Sequence, residues 1–421
     1  MLFGSSGIRR LWDETLLTLA MQVGSTVATS YPHIVLGRDA RTTGNLLAHA
    51  FSSGALAAGG NISDGGIVPT PTVAYNARHH DAGCCITASH NPESYNGLKM
   101  IQPDGSAFTP TQQDAIEETY LAAKSIGWEQ QGTSITSDLV TPHLNAILGS
   151  VRACEGLNVV LDCGNGAASS ITPRLLHDLG TTARCMNATP SGFFARPSEP
   201  TEENLKVALA MTRATGAQAG LFHDGDADRF MAADNKGRFI NGDHLLILFA
   251  EYLGAKKIVT TVDASMAIEE VAEVRRTPVG DSFVSTALTS WGDFGGEPSG
   301  SWIFPEHSLC PDGIYAAGLF CEIASETDTA GAIDAIPSYP MIRSSEYSDT
   351  ARELLTRLGA ENPTDGLRIE EERGWCLIRA SGTEPKIRIT AEGKDRGVAK
   401  RMHEKGCTLI RSAKKDQRKE P

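Results

Sequence analysis

The sequence predicts an α/β protein of three similar α/β units with mixed, mainly parallel sheets, followed by a smaller C-terminal α+β unit. Three observations carry this expectation. First, apolar, β-branched runs followed by a turn of Gly, Asp, Asn or Ser recur as I-V-L-G-R-D-A-R from Ile34, V-V-L-D-C-G-N-G-A from Val159 and I-V-T-T-V-D-A-S-M from Ile258. Short, wholly apolar strands suit a sheet buried on both faces, which means parallel strands joined by helices. Second, the runs stand roughly 100–125 residues apart, about one domain each. Third, the last stretch has another pattern: C-L-I-R from Cys376, a Gly/Pro turn, then the alternating K-I-R-I-T from Lys386. Alternation of this kind marks half-buried strands.

Polar, turn-rich joints suggest the boundaries. They lie at 132–138, before the helix-like stretch containing Leu139, Leu144, Ile147 and Leu148, around Asn241-Gly242-Asp243, and at I-P-S-Y-P ending on Pro340. The expected units are therefore 1–137, 138–242, 243–338 and 339–421. The charged end K-K-D-Q-R-K-E-P reads as a frayed tail.

Composition narrows the class of function. With 41% hydrophobic and 21% charged residues the chain is of the soluble globular type. A formal net charge of −13 argues against nucleic acid or an anionic membrane as partner. An anionic substrate would need cations gathered locally. No apolar leader follows the N-terminal M-L-F-G-S-S-G-I-R-R, and no window is long and apolar enough to span a membrane, so a cytoplasmic location is expected. Nine scattered cysteines without a metal-type CxxC pair read as reduced thiols. No sequence feature specifies an oligomeric state.

Four stretches carry residues suited to chemistry. In I-T-A-S-H-N-P-E-S-Y-N-G-L-K, Ser89 follows an apolar strand and precedes Asn91-Pro92, so it is either a turn former or a nucleophile in a loop. No G-x-S-x-G elbow is present, and adjacent Ser and His side chains diverge, so a hydrolase triad is not expected. His90 is left to orient a substrate or shuttle a proton, and Lys99 to bring a cation back towards the serine. In H-D-G-D-A-D-R, Asp224, Asp226 and Asp228 lie on one side of a strand end or curl round a point. Either arrangement makes a hard oxygen site for Mg²⁺, because three unpaired carboxylates so close repel strongly. The alternative is a solvated acidic turn; an EF-hand is excluded by Arg229 at position six and Asn235 at position twelve. In G-G-E-P-S-G-S, Glu297 and Ser299 either grip sugar hydroxyls or form a polar turn. In R-A-S-G-T-E-P-K-I-R, Arg379, Ser381, Gly382 and Thr383 form either a phosphate nest or a plain strand turn. Arg9, Arg38 and Arg41, taken singly, read as structural ion pairs.

With these residues in hand, the sequence resembles the α-D-phosphohexomutase superfamily, which includes phosphoglucomutase, phosphomannomutase and phosphoglucosamine mutase. The likeness covers F-G-S-S-G-I-R, G-I-V-P-T-P-T, T-A-S-H-N-P with Y-N-G-L-K, D-G-D-A-D-R, T-P-V-G-D, G-G-E-P-S-G, P-D-G-I and R-A-S-G-T-E-P-K, in that order. It implies four domains round a central cleft. It implies that Ser89 carries a phosphoryl group and that Asp224, Asp226 and Asp228 bind Mg²⁺ with an oxygen at Ser89. Arg9, His90, Lys99 and Arg229 would serve the phosphoryl centre, with general acid–base help from Lys99 or His90. Gly280, Glu297 and Ser299 would hold the sugar; Arg379, Ser381, Gly382, Thr383 and Arg388 would hold its non-reacting phosphate. The implied activity moves phosphate between O6 and O1 of a hexose through a 1,6-bisphosphate, which also serves as primer.

Arg10, Pro298, Ser301 and Ser282 depart from common family patterns, and all but Arg10 touch sugar recognition. The combination G-G-E-P-S-G and C-P-D-G-I looks most like archaeal phosphoglucosamine mutases, which makes glucosamine 6-phosphate the expected substrate. Glucose and mannose phosphates are the alternative. A non-catalytic sugar-phosphate binder and a Mg²⁺-dependent phosphatase are the readings from other classes.

Overall fold

In the computed structural model, which describes residues 2–4, 7–122, 125–360, 366–380 and 385–417, the three apolar runs become strands His33–Arg38, Asn158–Asp162 and Lys257–Thr261. Each lies inside its own sheet with a parallel neighbour on both sides. That is the burial their composition demands.

The first sheet runs Ile8–Leu11, Tyr95–Ile101, Ala82–Ile86, His33–Arg38, Asn61–Ile67, Ser134–Thr136. The second runs Phe239–Ile240, Phe230–Ala233, Ala219–His223, Asn158–Asp162, Thr182–Met186. The third runs Glu273–Thr277, Lys257–Thr261, Phe294–Glu297, Ser301–Ile303. In each, the parallel centre gives way to antiparallel strands on one side. These antiparallel strands matter most for the site. Tyr95–Ile101 doubles back along Ala82–Ile86, with Cys85 opposite Lys99, and Ile8–Leu11 pairs with its other edge. Arg9 and Lys99 thus return to the sheet edge from which the Ser89 loop leaves.

The C-terminal unit is a four-stranded antiparallel sheet in the order Met341–Tyr347, Lys386–Gly393, Gly374–Ala380, Leu367–Glu371. The expected fold class, three α/β units and a smaller α+β unit, is borne out. One detail differs: the charged end is not frayed from Lys414, because the last helix spans Arg396–Gln417. Val398, Met402, Ile410 and Ala413 on one face of it are buried in the C-terminal core, so packing overrides the charge of its other face.

The cores show how the units are joined. One continuous apolar cluster runs from Leu144 through Phe230 and Phe249 to Trp302 and Phe320, so the second and third units share a core. The fourth unit has its own, and meets the third through the small patch Met266, Trp375 and Leu377. Beside that patch the buried Glu392 carboxylate accepts hydrogen bonds from Ser265 Oγ at 2.5 Å, Met266 N at 2.8 Å and Trp375 Nε1 at 2.6 Å.

The Ser89 loop is held from beneath by Arg41. Its side chain is wholly buried, with Nε donating to Asp39 Oδ2 at 2.9 Å. Its guanidinium Nη2 donates to the carbonyls of Ser89 and Asn91, each at 2.7 Å, and Nη1 to those of Pro92 and Tyr95. Asp39 also accepts from Thr87 Oγ1 at 2.7 Å, and Thr87 Oγ1 in turn accepts from Ser89 N at 2.8 Å. The sequence reading of Arg41 as a structural ion pair understates this. A planar fork with five donors satisfies a whole loop, which an ammonium cannot do.

Arg41→Ala should therefore leave the buried Asp39 carboxylate without its counter-charge and four loop carbonyls without the guanidinium donor, a loss of about 3–5 kcal/mol. Native-state hydrogen exchange across residues 87–97 should quicken markedly, and Arg41→Lys should fall between the two. Unchanged protection of that segment in Arg41→Ala would refute the clamp.

Candidate active site

The strand Ala219–His223 ends on a loop whose three aspartates do not splay along an extended chain. They curl round a point, helped by Ala227 at φ +56°, a left-handed conformation costly for alanine. One carboxylate oxygen from each of Asp224, Asp226 and Asp228 lies within 4.8 Å of the others, and all three residues are buried. The turn is not a solvated one. Burial, reinforced by its neighbours Asp226 and Asp228, pushes Asp224 well above the usual carboxylate range, and burial with Asp228 raises Asp226 to about 6. Three such groups call for positive charge.

The surroundings supply part of it. Lys99 Nζ bridges Asp228 Oδ2 at 3.0 Å and Asp281 Oδ2 at 2.9 Å. Burial alone would lower its pKa, but the Asp281 and Asp228 carboxylates outweigh that and hold the ammonium well above its usual range. One ion-paired lysine thus links the first, second and third units. Thr70, at the start of the helix Thr70–Ala77, donates Oγ1 to Asp226 Oδ2 at 2.6 Å and its backbone N to Asp226 O at 2.9 Å. Asp226 Oδ1, however, is buried without a hydrogen-bond partner among the described residues. An orphaned carboxylate oxygen inside a three-carboxylate cage is what a hard divalent cation satisfies. The donor set fits Mg²⁺.

Ser89 meets this cage from the other side. At φ +48° it is a non-glycine residue in left-handed backbone, and its side chain is buried. Ser89 Oγ donates to Asp224 Oδ2 at 3.0 Å and lies 3.5 Å from Asp228 Oδ1. The divergence expected of adjacent Ser and His is reduced by this backbone: Ser89 Oγ lies 3.4 Å from His90 Nδ1. Burial lowers the His90 pKa to about 3, with Arg229 and Arg9 acting in the same direction, so the imidazole is neutral at physiological pH.

Arg9, Ser89, His90, Asp228, Arg229, Gly280, Glu297, Ser299 and Arg379 line one cleft of about 310 Å³, with Pro298 and Ser301 also on its wall. The structure thereby brings together residues from all four units. Glu297, at the end of strand Phe294–Glu297, accepts from Gly280 N at 2.8 Å. Burial and the nearby Asp281 raise its pKa to about 7. Arg229 pairs with Glu199 at 3.2 Å on the cleft wall. Arg388 lies in an adjoining hollow of about 440 Å³ that shares Asp263 and Arg379 with the first and adds Arg343 and Lys386. Ser381, Gly382 and Thr383 lie outside the described residues.

Several participants escaped the sequence reading. Asp281 was visible only as part of T-P-V-G-D, Thr70 only as part of G-I-V-P-T-P-T and Asp263 only as the turn residue of I-V-T-T-V-D-A-S-M, while Glu199 and Arg343 carried no signal. Each is a single polar residue whose partner lies on another unit or across a loop.

Comparison with known proteins identifies the family. Phosphoglucomutase/phosphomannomutase profiles match in sequence order: α/β/α domain I over residues 1–126, domain II over 141–237, domain III over 241–336 and the C-terminal domain over 343–407. A protein of Methanocella arvoryzae named "Probable phosphoglucosamine mutase" is 42% identical over 97% of this chain and 98% of its own. The "Phosphoglucosamine mutase" of Methanocaldococcus jannaschii is 39% identical over 98% of each. The solved structure of a phosphoglucomutase/phosphomannomutase family protein from Burkholderia thailandensis superposes with a TM-score of 0.85 at 25% identity, covering 98% of each chain. The resemblance read from the motifs is thus borne out, and the chain belongs to the phosphoglucomutase/phosphomannomutase family.

Proposed function

We propose that the protein is a Mg²⁺-dependent phosphohexomutase, and that its substrate pair is glucosamine 6-phosphate and glucosamine 1-phosphate. The observation that carries the reaction class is the placement of Ser89 Oγ, strained and buried, 3.0 Å from a carboxylate of the aspartate cage. A cation held by Asp224, Asp226 and Asp228 would draw charge from the oxygens of a phosphoryl group on Ser89.

The chain's own residues supply the rest. Ser89 Oγ carries the phosphoryl group and yields it to a sugar hydroxyl; the P–O bond to serine breaks as the bond to the sugar oxygen forms. The proton that the hydroxyl releases ends on the departing Ser89 oxygen, and His90, neutral and 3.4 Å from that oxygen, is placed to relay it. Lys99, locked as an ammonium between two carboxylates, is better suited to steadying charge than to acting as a base. Arg9 and Arg229 face the same space. The 1,6-bisphosphate so formed turns over and returns its other phosphate to Ser89. The hollow with Arg343, Arg379, Lys386 and Arg388 is suited to the phosphate that is not reacting. The fourth unit touches the third through a small patch, which suits closure over the substrate and exclusion of water.

Two observations support glucosamine. Relatives at about 40% identity bear the mutase name quoted above. The cleft also carries Glu199, Asp263 and Glu297 among its lining residues, and an acidic wall favours a 2-ammonium group.

The deciding experiment compares kcat/KM for the 1-phosphates of glucosamine, glucose and mannose in the presence of a bisphosphate primer. Glucosamine 1-phosphate should be preferred, and a strong preference for another sugar would overturn the substrate assignment. Inorganic phosphate released in step with turnover would instead indicate a phosphatase.

Three further outcomes are expected. Purified protein should yield a phosphopeptide containing Ser89, and both Ser89→Ala and Asp226→Asn should lose at least about 10³-fold in kcat. Full activity in either variant would remove that residue from the centre. Glu297 keeps its proton to about pH 7 in the folded protein, whereas the unfolded chain releases it near the ordinary carboxylate pKa. Between those values the native state binds more protons, so this group's contribution to stability falls as pH rises through the window. Hydroxyl gripping has the opposite sense, since the ionised carboxylate is the stronger acceptor. The wild-type to Glu297→Gln ratio of kcat/KM should therefore grow from pH 6 to pH 8, towards about 10–100-fold. A flat ratio would show that Glu297 ionisation does not govern sugar binding.

A further inference from the structure

A second cluster of metal-type ligands lies apart from the aspartate cage, where the first three units meet. His143 Nε2 lies 2.9 Å from Asp312 Oδ2, and His307 Nε2 lies 3.4 Å from the same oxygen. The ligand atoms of all three residues fall within 4.8 Å of one another. His143 belongs to the helix Val140–Ser150 and Asp312 caps the helix Gly313–Glu326. His307 stands on the turn before that cap. The three side chains are 0%, 1% and 7% exposed.

Each ligand is already oriented by a partner behind it. Asp312 Oδ1 accepts from the backbone N of Ile314 and of Tyr315, both at 2.9 Å, which leaves Oδ2 facing the two imidazoles. Thr72 Oγ1 lies 3.0 Å from His143 Nδ1 and fixes that ring. Tyr75 stacks on both rings, at 5.2 Å from His143 and 5.3 Å from His307, and Tyr315 packs 4.7 Å from His307. Such an outer layer of hydrogen bonds and packing is what holds metal-binding histidines in place.

Plain hydrogen bonding does not satisfy the cluster. Two imidazole nitrogens converge on one carboxylate oxygen, and His307 Nε2, although buried, makes no hydrogen bond among the described residues. Tetrahedral Zn²⁺ with ligands at 2.0–2.1 Å separates its donors by about 3.3 Å, close to the spacings at Oδ2. One charge of the dication would be balanced by Asp312, and the exposed Arg78 close by is engaged with the Tyr75 ring at 3.8 Å and with His307 O. An entry path exists: a surface cleft of about 480 Å³ is lined by Phe304, His307 and Tyr315.

We propose that His143, His307 and Asp312 form a second metal site for a Zn²⁺-type cation, distinct from the Mg²⁺ cage in both ligand chemistry and position. Two imidazoles and one carboxylate select a borderline-soft ion over Mg²⁺, and they leave a coordination position for water. The site backs onto the aspartate loop. Gly313 N donates to Ala227 O at 3.2 Å, and a Cβ on Gly313 would meet Ala227 O and Arg229 O at 2.6 Å. The helix that carries Thr72 also carries Thr70, which binds Asp226. A bound ion would pin three units at the point that supports the catalytic loop.

The test uses the full-length protein, stripped with chelator and titrated with Co²⁺ in the presence of excess Mg²⁺. One equivalent should give the intense visible band of tetrahedral, nitrogen-ligated Co²⁺, and Zn²⁺ should bleach it by displacement. His307→Gln and His143→Gln should each weaken Co²⁺ binding by at least about 100-fold, and Thr72→Val by about 10-fold. Asp226→Asn, which removes a ligand of the Mg²⁺ cage, should leave the band intact. Absence of the band in wild-type protein would overturn the proposal. So would a band of undiminished affinity in folded His307→Gln, or one lost in Asp226→Asn.

Discussion

Three like charges forced into one buried loop are the constraint on which the rest of this molecule depends. Asp224, Asp226 and Asp228 cannot all ionise in a dry interior unless positive charge and hydrogen-bond donors surround them. The protein meets that demand from several directions. Lys99 comes from an antiparallel strand of the first unit, Thr70 from a helix start, and Ser89 Oγ from the loop opposite. Asp226 Oδ1 still has no partner among the described residues, which leaves a role for the cation. The cage is therefore an interface as much as a ligand set. Its completion requires the first and second units to sit at a fixed distance, and Asp281 extends that requirement to the third.

The same constraint explains where strain is placed. Ser89 and Ala227 both occupy left-handed backbone, which costs roughly 1–3 kcal/mol per non-glycine residue. Such conformations persist only where the surroundings overdetermine them. Arg41, with five hydrogen bonds to Asp39 and four loop carbonyls, does this for Ser89. The packing of Gly313 against Ala227 O and Arg229 O does it for the aspartate loop. Rigid support beneath two strained residues keeps a hydroxyl and a carboxylate cage at working distance without waiting for the substrate. It also gives the His143–His307–Asp312 cluster its significance, since that cluster lies directly behind the second support.

An acidic chain that handles anionic sugars looks contradictory until its charges are placed. The net charge of −13 is spread over the chain, while Arg9, Arg229, Arg343, Arg379, Lys386 and Arg388 are gathered in two adjoining hollows. Carboxylates share those hollows, so the cleft is a mixed field rather than a purely cationic one. A mixed field of this kind can tell apart the two ends of a molecule, because guanidinium groups favour phosphate and carboxylates favour hydroxyls or an ammonium.

The sequence by itself determined the fold class, because each of its three apolar runs can be buried only as a central strand with parallel neighbours. Local spacing also put Asp224, Asp226 and Asp228 within a turn of one another, but left the choice between a cation cage and a solvated acidic turn to the burial that only the tertiary structure supplies. The family motifs pointed to Arg9, Lys99, Arg229 and Glu297 as candidates. Only the tertiary structure decided what they touch. Lys99 is bound to Asp228, 129 residues away, and to Asp281, 182 residues away. His143 meets Asp312 across 169 residues. Partners at such separations leave no periodicity or spacing in the chain, because nothing but the packing of whole units brings them together. The backbone at Ser89 follows the same logic. Its left-handed turn, which brings the hydroxyl to Asp224 and within 3.4 Å of His90, is imposed by a clamp from Arg41, 48 residues earlier.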